Sequence, residues 1–195
     1  MPLKLLVGLG NPGQEYRSHR HNVGFWFCDA LANLHAGEFK TTGKFFGETA
    51  KISLTNLSFH LLKPNTYMNN SGQSVQSLVK FYQLKLDEIL VIHDDLDLSP
   101  GVAKLKFGGG HGGHNGLRDI IKALSSKDFY RLRLGIGAPV DREKVADFVL
   151  NSPSKSELEL LQIALKNALN IIPEMLAGET DKAMKILNTK GKNGL

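Results

Sequence analysis

Cysteine is nearly absent from this sequence. Cys28 is the only cysteine among 195 residues, so no disulfide can form within the chain, and a reducing compartment is indicated. A paired C-x-x-C motif, which would point to a zinc site, is also missing. Cys28 itself lies inside the apolar helical pattern of residues 22–34, which is more typical of a core position than of a nucleophile.

Long hydrophobic runs are absent as well. No apolar run approaches the roughly 20 residues that cross a bilayer, and the apolar part of "MPLKLLVGLG" is too short for a signal peptide. We therefore expect a cytoplasmic protein that does not bind membranes. The length of 195 residues is most simply explained by one domain over residues 1–195, with a flexible tail at 189–195.

Two common hydrolase motifs are missing too. The chain has no G-x-S-x-G sequence, which would place a serine nucleophile on a sharp turn, and no H-E-x-x-H sequence, which would bind zinc on a helix. Any hydrolytic chemistry must therefore use other polar residues.

Basic charge, in contrast, is present and concentrated. Residues 104–144 contain nine Lys or Arg against four Asp or Glu, and this excess of five equals the net charge of +5 of the whole chain. A local excess of this kind attracts phosphates and suits a polyanionic partner, although a solvated surface would give the same count.

The hydrophobic pattern predicts strands that alternate with helices. The two strands on either side of Thr55 and Asn56 read as a hairpin. Together these elements predict an α/β fold in which a mixed β-sheet is sandwiched between helices. The predicted strands cover residues 3–8, 49–54, 57–62, 88–93, 103–108 and 130–137, and the predicted helices cover 22–34, 71–84, 115–125, 142–150 and 155–177.

A glycine motif follows the first strand. Gly8, Gly10 and Gly13 spell G-x-G-x-x-G, the pattern of a dinucleotide-binding turn. Such a turn must lead directly into a helix, and the next strand must end in an acidic residue. Here "QEYRSHRH" has no helical period, and the strand at 49–54 runs into "TNLS" without a carboxylate. The motif therefore indicates a sharp turn that admits a ligand rather than a nucleotide cofactor site.

Four polar loops are expected to meet at one edge of the sheet. If the strands at 3–8 and 88–93 lie parallel and close together, their carboxyl ends bring "GNPG" and "HDDLD" to the same place. His21 could then reach Asp94, and such a pair is a minimal general base. The loops "PNTYMNNSG" at 64–72 and "GGGHGGHNG" at 108–116 complete the set.

Simpler explanations remain open for each loop. The histidines could be structural, Asp94 could cap a turn, and Asn69 and Asn70 could cap the following helix. A divalent metal site is a further alternative, although no metal-binding spacing is recognisable and we expect no metal and no cofactor. The residues that could contribute ligands to such a site are His93, Asp94, Asp95, Asp97, His111 and His114.

At these loops the chain closely resembles bacterial peptidyl-tRNA hydrolases, over essentially its whole length. The matching segments are "VGLGNPGQEY", "RHNVG", "KPNTYMNNSG", "VIHDDLDL", "GGGHGGHNGLRDI" and "RLRLGIG", in this order. One departure is visible: the family usually has Thr before "RHN", where this chain has His19. This departure leaves His21 and Asn22 in place and concerns the hydrogen bonding around them.

The resemblance implies an α/β fold of the peptidyl-tRNA hydrolase type and hydrolysis of the ester that joins a peptide to the 3′-terminal ribose of tRNA. It implies a water molecule activated by His21 and Asp94, no covalent intermediate, no metal and a largely monomeric protein without an obligate protein partner. The partner is peptidyl-tRNA, bound through its acceptor stem and 3′ end.

The resemblance also implies roles for individual residues. Asn11 and Asn69 would hold the peptide backbone and the attacked carbonyl, with help from the main chain near Met68. His114 and Asn115 would position the 3′ end of the tRNA, Tyr67 would flank the terminal nucleotide, and Tyr16 and Asn22 would line the substrate site. Lys104, Lys106 and Arg133 would bind acceptor-stem phosphates.

A second function fits the same fold. A relative that binds RNA without hydrolysing it would keep the basic window but would not need His21, Asp94, Asn11 and Asn69 together. The presence of all four in this sequence favours the enzyme.

Overall fold

The computed structural model describes residues 1–190. A seven-stranded mixed sheet forms its centre, in the order β2-β3-β4-β1-β5-β7-β6. The four inner strands β4, β1, β5 and β7 are parallel, and the remaining strands at the two edges are antiparallel to their neighbours. The strands are β1 (Leu5–Gly8), β2 (Lys40–Thr42), β3 (Gly47–Ser53), β4 (Ser58–Pro64), β5 (Ile89–Asp95), β6 (Ala103–Phe107) and β7 (Tyr130–Gly135).

Helices cover both faces of the sheet. One hydrophobic core lies between the sheet and helices α1, α5, α6 and α7, and a second lies between the sheet and helices α2 and α3. This confirms the predicted sandwich. The helices are α1 (Val23–Leu34), α2 (Ser71–Tyr82), α3 (Asn115–Leu124), α4 (Val145–Val149), α5 (Lys155–Leu169), α6 (Ile172–Leu176) and α7 (Thr180–Lys190). No helix in the described part of the chain is long and apolar enough to cross a membrane.

The predicted helix over residues 155–177 is in fact two helices. A break at Asn170 and Ile171 separates α5 from α6, and Pro173 lies in the first turn of α6. Proline has no N–H to donate and its ring clashes with the preceding turn, so an uninterrupted helix through Pro173 is unfavourable. The regular leucine spacing predicted one helix because both helices bury residues in the same core.

The predicted tail begins too early. Thr189 and Lys190 belong to α7, a helix that the sequence pattern did not reveal, and residues 191–195 lie outside the described part of the chain. Ala183 and Leu187 of α7 are buried against the sheet, and Asn188 forms two hydrogen bonds with the backbone of Leu105 in β6. These contacts stabilise a helix whose own sequence is rather polar.

The sheet determines where the polar loops meet. Strands β1 and β5 are parallel neighbours, which is the condition under which the sequence brings the loops together, and Leu5 lies opposite Ile89 and Gly8 opposite Ile92. The loops that follow these two strands therefore leave the same edge of the sheet side by side. Helix α1 returns from this edge along the sheet, so the residues just before it also stand there.

Candidate active site

His21 and Asp94 are in direct contact at this edge. His21 lies in a short 3₁₀ turn (Arg20–Asn22) before α1, and Asp94 is near the end of β5. Nδ1 of His21 is 2.8 Å from Oδ1 of Asp94, and both side chains are buried. Burial by itself lowers the pKa of His21, but the charge of Asp94 and its hydrogen bond outweigh that effect and raise the pKa above its ordinary value.

The carboxylate of Asp94 is shared with a second histidine. Nε2 of His114 lies 2.9 Å from the same oxygen, Oδ1. Burial raises the pKa of Asp94, but the two imidazoles more than offset this and hold the pKa well below its ordinary value. Asp94 is therefore an anion that accepts hydrogen bonds from His21 and from His114.

His114 is also the N-cap residue of helix α3. Its Nδ1 accepts hydrogen bonds from the backbone N–H groups of Gly116 and Leu117, at 3.1 and 3.3 Å. A nitrogen that accepts two hydrogen bonds carries no proton, so the ring proton lies on Nε2 and points to Asp94. The role of helix cap thus fixes the tautomer of His114.

The same three side chains are the only cluster in residues 1–190 that resembles a metal site. One potential ligand atom each from His21, Asp94 and His114 lie within 4.8 Å of one another. A cation bound to Nε2 of His114 would displace its proton to Nδ1, where it would face two backbone N–H donors. The helix cap therefore favours a hydrogen-bonded carboxylate over a divalent cation, and the other candidate ligands, His93, Asp95, Asp97 and His111, do not join the cluster.

His93 packs against the cluster of His21, Asp94 and His114 and is uncharged. Its Nδ1 donates to the backbone oxygen of Asp94 at 2.6 Å, and its ring packs edge-to-face on His114. Burial, followed by the nearby His114, lowers the pKa of His93 to about 3. His93 therefore adds no positive charge next to His21 at neutral pH.

Asn11 is held rigidly in the glycine turn after β1. Asn22 brackets its backbone: the Asn11 N–H donates to Oδ1 of Asn22 at 3.0 Å, and Nδ2 of Asn22 donates to the Asn11 carbonyl at 2.9 Å. Oδ1 of Asn11 accepts the N–H of Met68 at 2.8 Å. The NH₂ group of Asn11 forms no hydrogen bond within residues 1–190 and can donate to a substrate, whereas the Met68 N–H is already used.

The loop at 64–72 stands beside Asn11 and presents exposed polar groups. Asn69 and Asn70 are exposed, and Asn70 makes no side-chain cap to α2 although it occupies the cap position. The exposed ring of Tyr67 packs edge-to-face against Tyr16, with ring centroids 6.3 Å apart. Met68 in contrast is buried and lies against Gly116, which links this loop to the start of α3.

A cavity of about 840 Å³ opens on the other side of His21 and His114. The loop around Asn115 and the segment 138–149 form part of its walls, and Asn115 accepts a hydrogen bond from Arg118 at 3.0 Å. Two of the predicted phosphate-binding residues, Lys106 and Arg133, line this cavity, whereas Lys104 does not.

Arg133 is oriented by an acidic neighbour. Its Nε donates to Oδ2 of Asp95 at 2.6 Å. The two terminal nitrogens of the guanidinium take no part in this contact. Lys106 lies beside it on the neighbouring strand, and its pKa is lowered by burial and then by the nearby arginines. Lys106 and Arg133 thus place two basic groups on the wall of the cavity, one of them paired with Asp95.

Arg131 is a functional candidate that the sequence pattern did not reveal. It is completely buried, and its guanidinium donates to the carbonyl oxygens of Gly109, Gly110 and Lys127. No carboxylate within residues 1–190 forms an ion pair with it. Arg131 thus ties the glycine-rich loop to β7 and adds a fixed positive charge behind Lys106 and Arg133. The only sequence signal for this role is the alternation of basic and apolar residues along the strand, Arg131, Leu132 and Arg133.

Arg20 is a second residue that the sequence pattern did not reveal, because its partners lie far away in the chain. Its guanidinium donates to the carbonyl oxygens of Phe148 and Asn151 and pairs with Glu157 at 2.9 Å, while its own N–H bonds to Asn151. The residue before His21 therefore fixes the active-site turn to the end of the segment 138–153. The sequence offers no signal for this contact, since more than 120 residues separate the partners.

A buried imidazole whose Nδ1 is held by a carboxylate, at the carboxyl edge of an α/β sheet, is the arrangement that a general base requires. The one cysteine of the sequence is not a competing nucleophile: Cys28 is buried away from the cavity, and burial, with the neighbouring Asp29, raises the pKa of its thiol to about 12. The fold and site are thus those of an α/β protein equipped for base-assisted chemistry without a thiol nucleophile.

Comparison with known proteins assigns the family. The model of the family described as peptidyl-tRNA hydrolase matches residues 5–194. The peptidyl-tRNA hydrolase of Ruthia magnifica is 58% identical over 97% of this chain and 100% of its own length, and that of Neisseria meningitidis serogroup A is 50% identical over 96% and 98%. A crystal structure of the Acinetobacter baumannii enzyme has a TM-score of 0.93 and 45% identity, covering 95% of this chain and 94% of that chain. The chain belongs to the peptidyl-tRNA hydrolase family, and the family and fold expected from its motifs are confirmed.

Proposed function

We propose that this chain hydrolyses the ester between the peptide and the 3′-terminal ribose of peptidyl-tRNA, with His21 as the base that activates water. The activity is that of the family to which the chain belongs; the assignment of roles to individual residues is our proposal. It depends chiefly on one observation: Nδ1 of His21 is bound to the ionised Asp94 at 2.8 Å. The proton of the neutral ring is then on Nδ1, and Nε2 carries the lone pair that a general base needs.

The reaction needs no covalent intermediate. Nε2 of His21 takes a proton from water as the water oxygen attacks the ester carbonyl, and Asp94 stabilises the imidazolium that forms. When the tetrahedral intermediate collapses, the bond to the ribose 3′ oxygen breaks and that oxygen takes the proton back from His21. The products are a free peptide acid and a tRNA with its 3′ hydroxyl, and His21 is again neutral.

Asn11 and Asn69 bind the peptide half of the substrate in this proposal. Asn11 donates from its NH₂ group to a carbonyl oxygen, because its own oxygen is bound to the N–H of Met68. Contacts to backbone groups suit a substrate whose peptide sequence varies. Met68 and Asn22 act by fixing Asn11 rather than by touching the substrate.

The tRNA half lies along the basic side of the site. Tyr16 and Tyr67 offer an aromatic surface for the terminal nucleotide, and Asn115 contacts the 3′ end from the wall of the cavity. Lys106 and Arg133 bind phosphates of the acceptor stem, and Lys104, which faces Arg133 across the two strands, extends the positive surface.

The protein acts as a monomer in this proposal, as the family resemblance implies. A cytoplasmic location follows from the substrate, which is produced by translation.

The direct test is release of an N-blocked amino acid from N-acyl-aminoacyl-tRNA, with free aminoacyl-tRNA as the comparison substrate. We expect cleavage of the blocked substrate and poor cleavage of the free one. His21→Ala should abolish turnover and leave tRNA binding nearly unchanged. Near-normal cleavage by His21→Ala would remove His21 from the role of base, and tRNA binding by the unmodified protein without any cleavage would favour the RNA-binding alternative.

A further inference from the structure

Both ring nitrogens of His114 are used inside the protein. Nε2 donates to Oδ1 of Asp94 at 2.9 Å, and Nδ1 accepts the N–H groups of Gly116 and Leu117. The side chain is only 8% exposed. No ring nitrogen is left to hold the 3′ end of a tRNA, which is the role that the family resemblance implied for this residue.

His114 and His21 share one acceptor atom of Asp94. His114 binds the same carboxylate oxygen as His21, and the two rings lie 5.0 Å apart. Two donors on one oxygen divide its electron density, so each hydrogen bond is weaker than it would be alone. His114 is attached to α3 through its helix cap, so it also links the position of Asp94 to the loop above it.

We propose that His114 is a positioning residue, which orients Asp94 and, by sharing Oδ1, limits how strongly Asp94 holds a proton on His21. The inference rests on the proposed function of His21 as the base. A base that is held protonated too firmly is unavailable at neutral pH, and one with no carboxylate partner is poorly oriented. In this arrangement His114 keeps Asp94 in place to orient His21 and at the same time limits how firmly Asp94 keeps His21 protonated.

Among the groups around His21, Asp94 and His114 are the ones in position to influence the protonation of His21. His93 stands behind His114 and is neutral, because its pKa is about 3. The other charged groups belong to the wall of the shared cavity rather than to the hydrogen-bonded cluster: Asp95 and Asp97 after β5, Lys106 on β6, Arg131 and Arg133 on β7, and Arg142 before α4.

Two substitutions separate the two hydrogen-bonding roles of His114. In His114→Asn, the amide oxygen occupies about the position of Nδ1, so the helix cap is kept while the hydrogen bond to Asp94 is removed. In His114→Gln, the amide nitrogen reaches about the position of Nε2, so the donor to Asp94 is kept while the cap is weakened. His111→Asn is the matched control, because His111 lies in the same loop and its Nδ1 accepts only from Gly113.

The measurements are the pH profile of kcat/KM and the NMR titration of His21 in the free protein. We expect His114→Asn to move the acidic limb, and the pKa of His21, upward by about 0.5 unit or more, because Asp94 then acts on His21 alone. KM should stay within about twofold. His114→Gln and His111→Asn should stay within about 0.2 unit of the unmodified protein.

Other results would overturn the proposal. A rise of KM by about tenfold in His114→Asn, with the acidic limb unmoved, would make His114 a direct substrate contact. Equal shifts in the Asn and Gln variants would assign the effect to loss of the ring rather than of the donor. The NMR titration needs no turnover, so it tests the sharing of Oδ1 even if His21 is not the base; His21→Ala tests that role separately. Circular dichroism of each variant verifies the fold.

Discussion

Gly24 at the start of α1 lies in backbone contact with Ile92 of β5: a Cβ atom on Gly24 would be 2.5 Å from the carbonyl oxygen of Ile92. Real Cβ atoms do not approach an oxygen this closely. The absence of a side chain therefore lets the first turn of α1 press against the sheet one strand residue before His93 and Asp94. His21, three residues before Gly24, reaches Asp94 because of this close approach.

Gly24→Ala tests the importance of that packing. The added methyl group has to displace backbone atoms of β5 and of Leu9, so we expect a loss of unfolding free energy of about 2 kcal/mol or more and a strong loss of activity. Urea denaturation and the turnover assay measure the two effects. Gly43→Ala is the control, because nothing lies within 4 Å of its added Cβ, and it should change stability by less than about 0.5 kcal/mol. Equal stability of the two variants would contradict the packing argument.

Asp94→Asn tests the electrostatic role of Asp94. The carboxylate raises the pKa of His21 against the effect of burial, so its removal should lower that pKa and move the acidic limb of the pH profile to lower pH. The rate should also fall by roughly 10²–10⁴, because the imidazolium loses its counter-charge and the ring its orientation. The measurement is kcat/KM between acidic and neutral pH. An unmoved limb would make Asp94 a structural residue.

Asn22→Ala tests how Asn11 is held. The side chain of Asn22 binds the N–H and C=O groups of Asn11 at 3.0 and 2.9 Å. The substitution leaves these buried groups without partners and should lower the free energy of unfolding by about 2 kcal/mol. KM should rise as Asn11 loses its fixed orientation. Thermal or urea unfolding and steady-state kinetics measure both. Asn33→Ala, on the exposed side of α1, should behave like the unmodified protein, and if Asn22→Ala does so too, then Asn11 is held by its turn alone.

Lys106→Ala and Arg133→Ala test the phosphate-binding wall. Each should weaken tRNA binding and reduce the slope of log affinity against log salt by about 0.9 for each phosphate that is no longer neutralised. Fluorescence anisotropy with labelled tRNA at several salt concentrations gives these slopes. Lys182→Ala is the control, since Lys182 lies on α7 and pairs with Glu179 at 2.7 Å. Slopes that are the same in all three variants would move the phosphate-binding surface elsewhere.

The order of elements and the polar loops were predictable from the sequence because their signals are local. Alternating and helical hydrophobic periods located the strands and most helices, and the turn around Thr55 and Asn56 formed the expected hairpin between β3 and β4. The parallel pairing of β1 and β5 could be anticipated because buried apolar strands with intervening helices favour it. The same reasoning placed His21 near Asp94.

Local signals failed where tertiary contacts compete with them. The leucine spacing over 155–177 concealed the break before Pro173, and the polar composition of α7 concealed a helix that Ala183 and Leu187 anchor in the core. Helix propensity is weak compared with such burial, so a marginal segment folds or not according to what covers it.

Composition, periodicity and motif order thus determined the α/β sandwich, the edge at which the loops gather and the types of side chain available there. Only the tertiary structure decided how those side chains divide their hydrogen bonds: that His114 uses both nitrogens within the protein, that Asn11 has one donor group left, and that Arg131 and Arg20 tie down distant loops. The reason is physical. A sequence pattern fixes which face or loop a residue occupies, whereas a hydrogen bond requires a partner within about 3 Å, and chain segments far apart in sequence reach that distance only through the packed core.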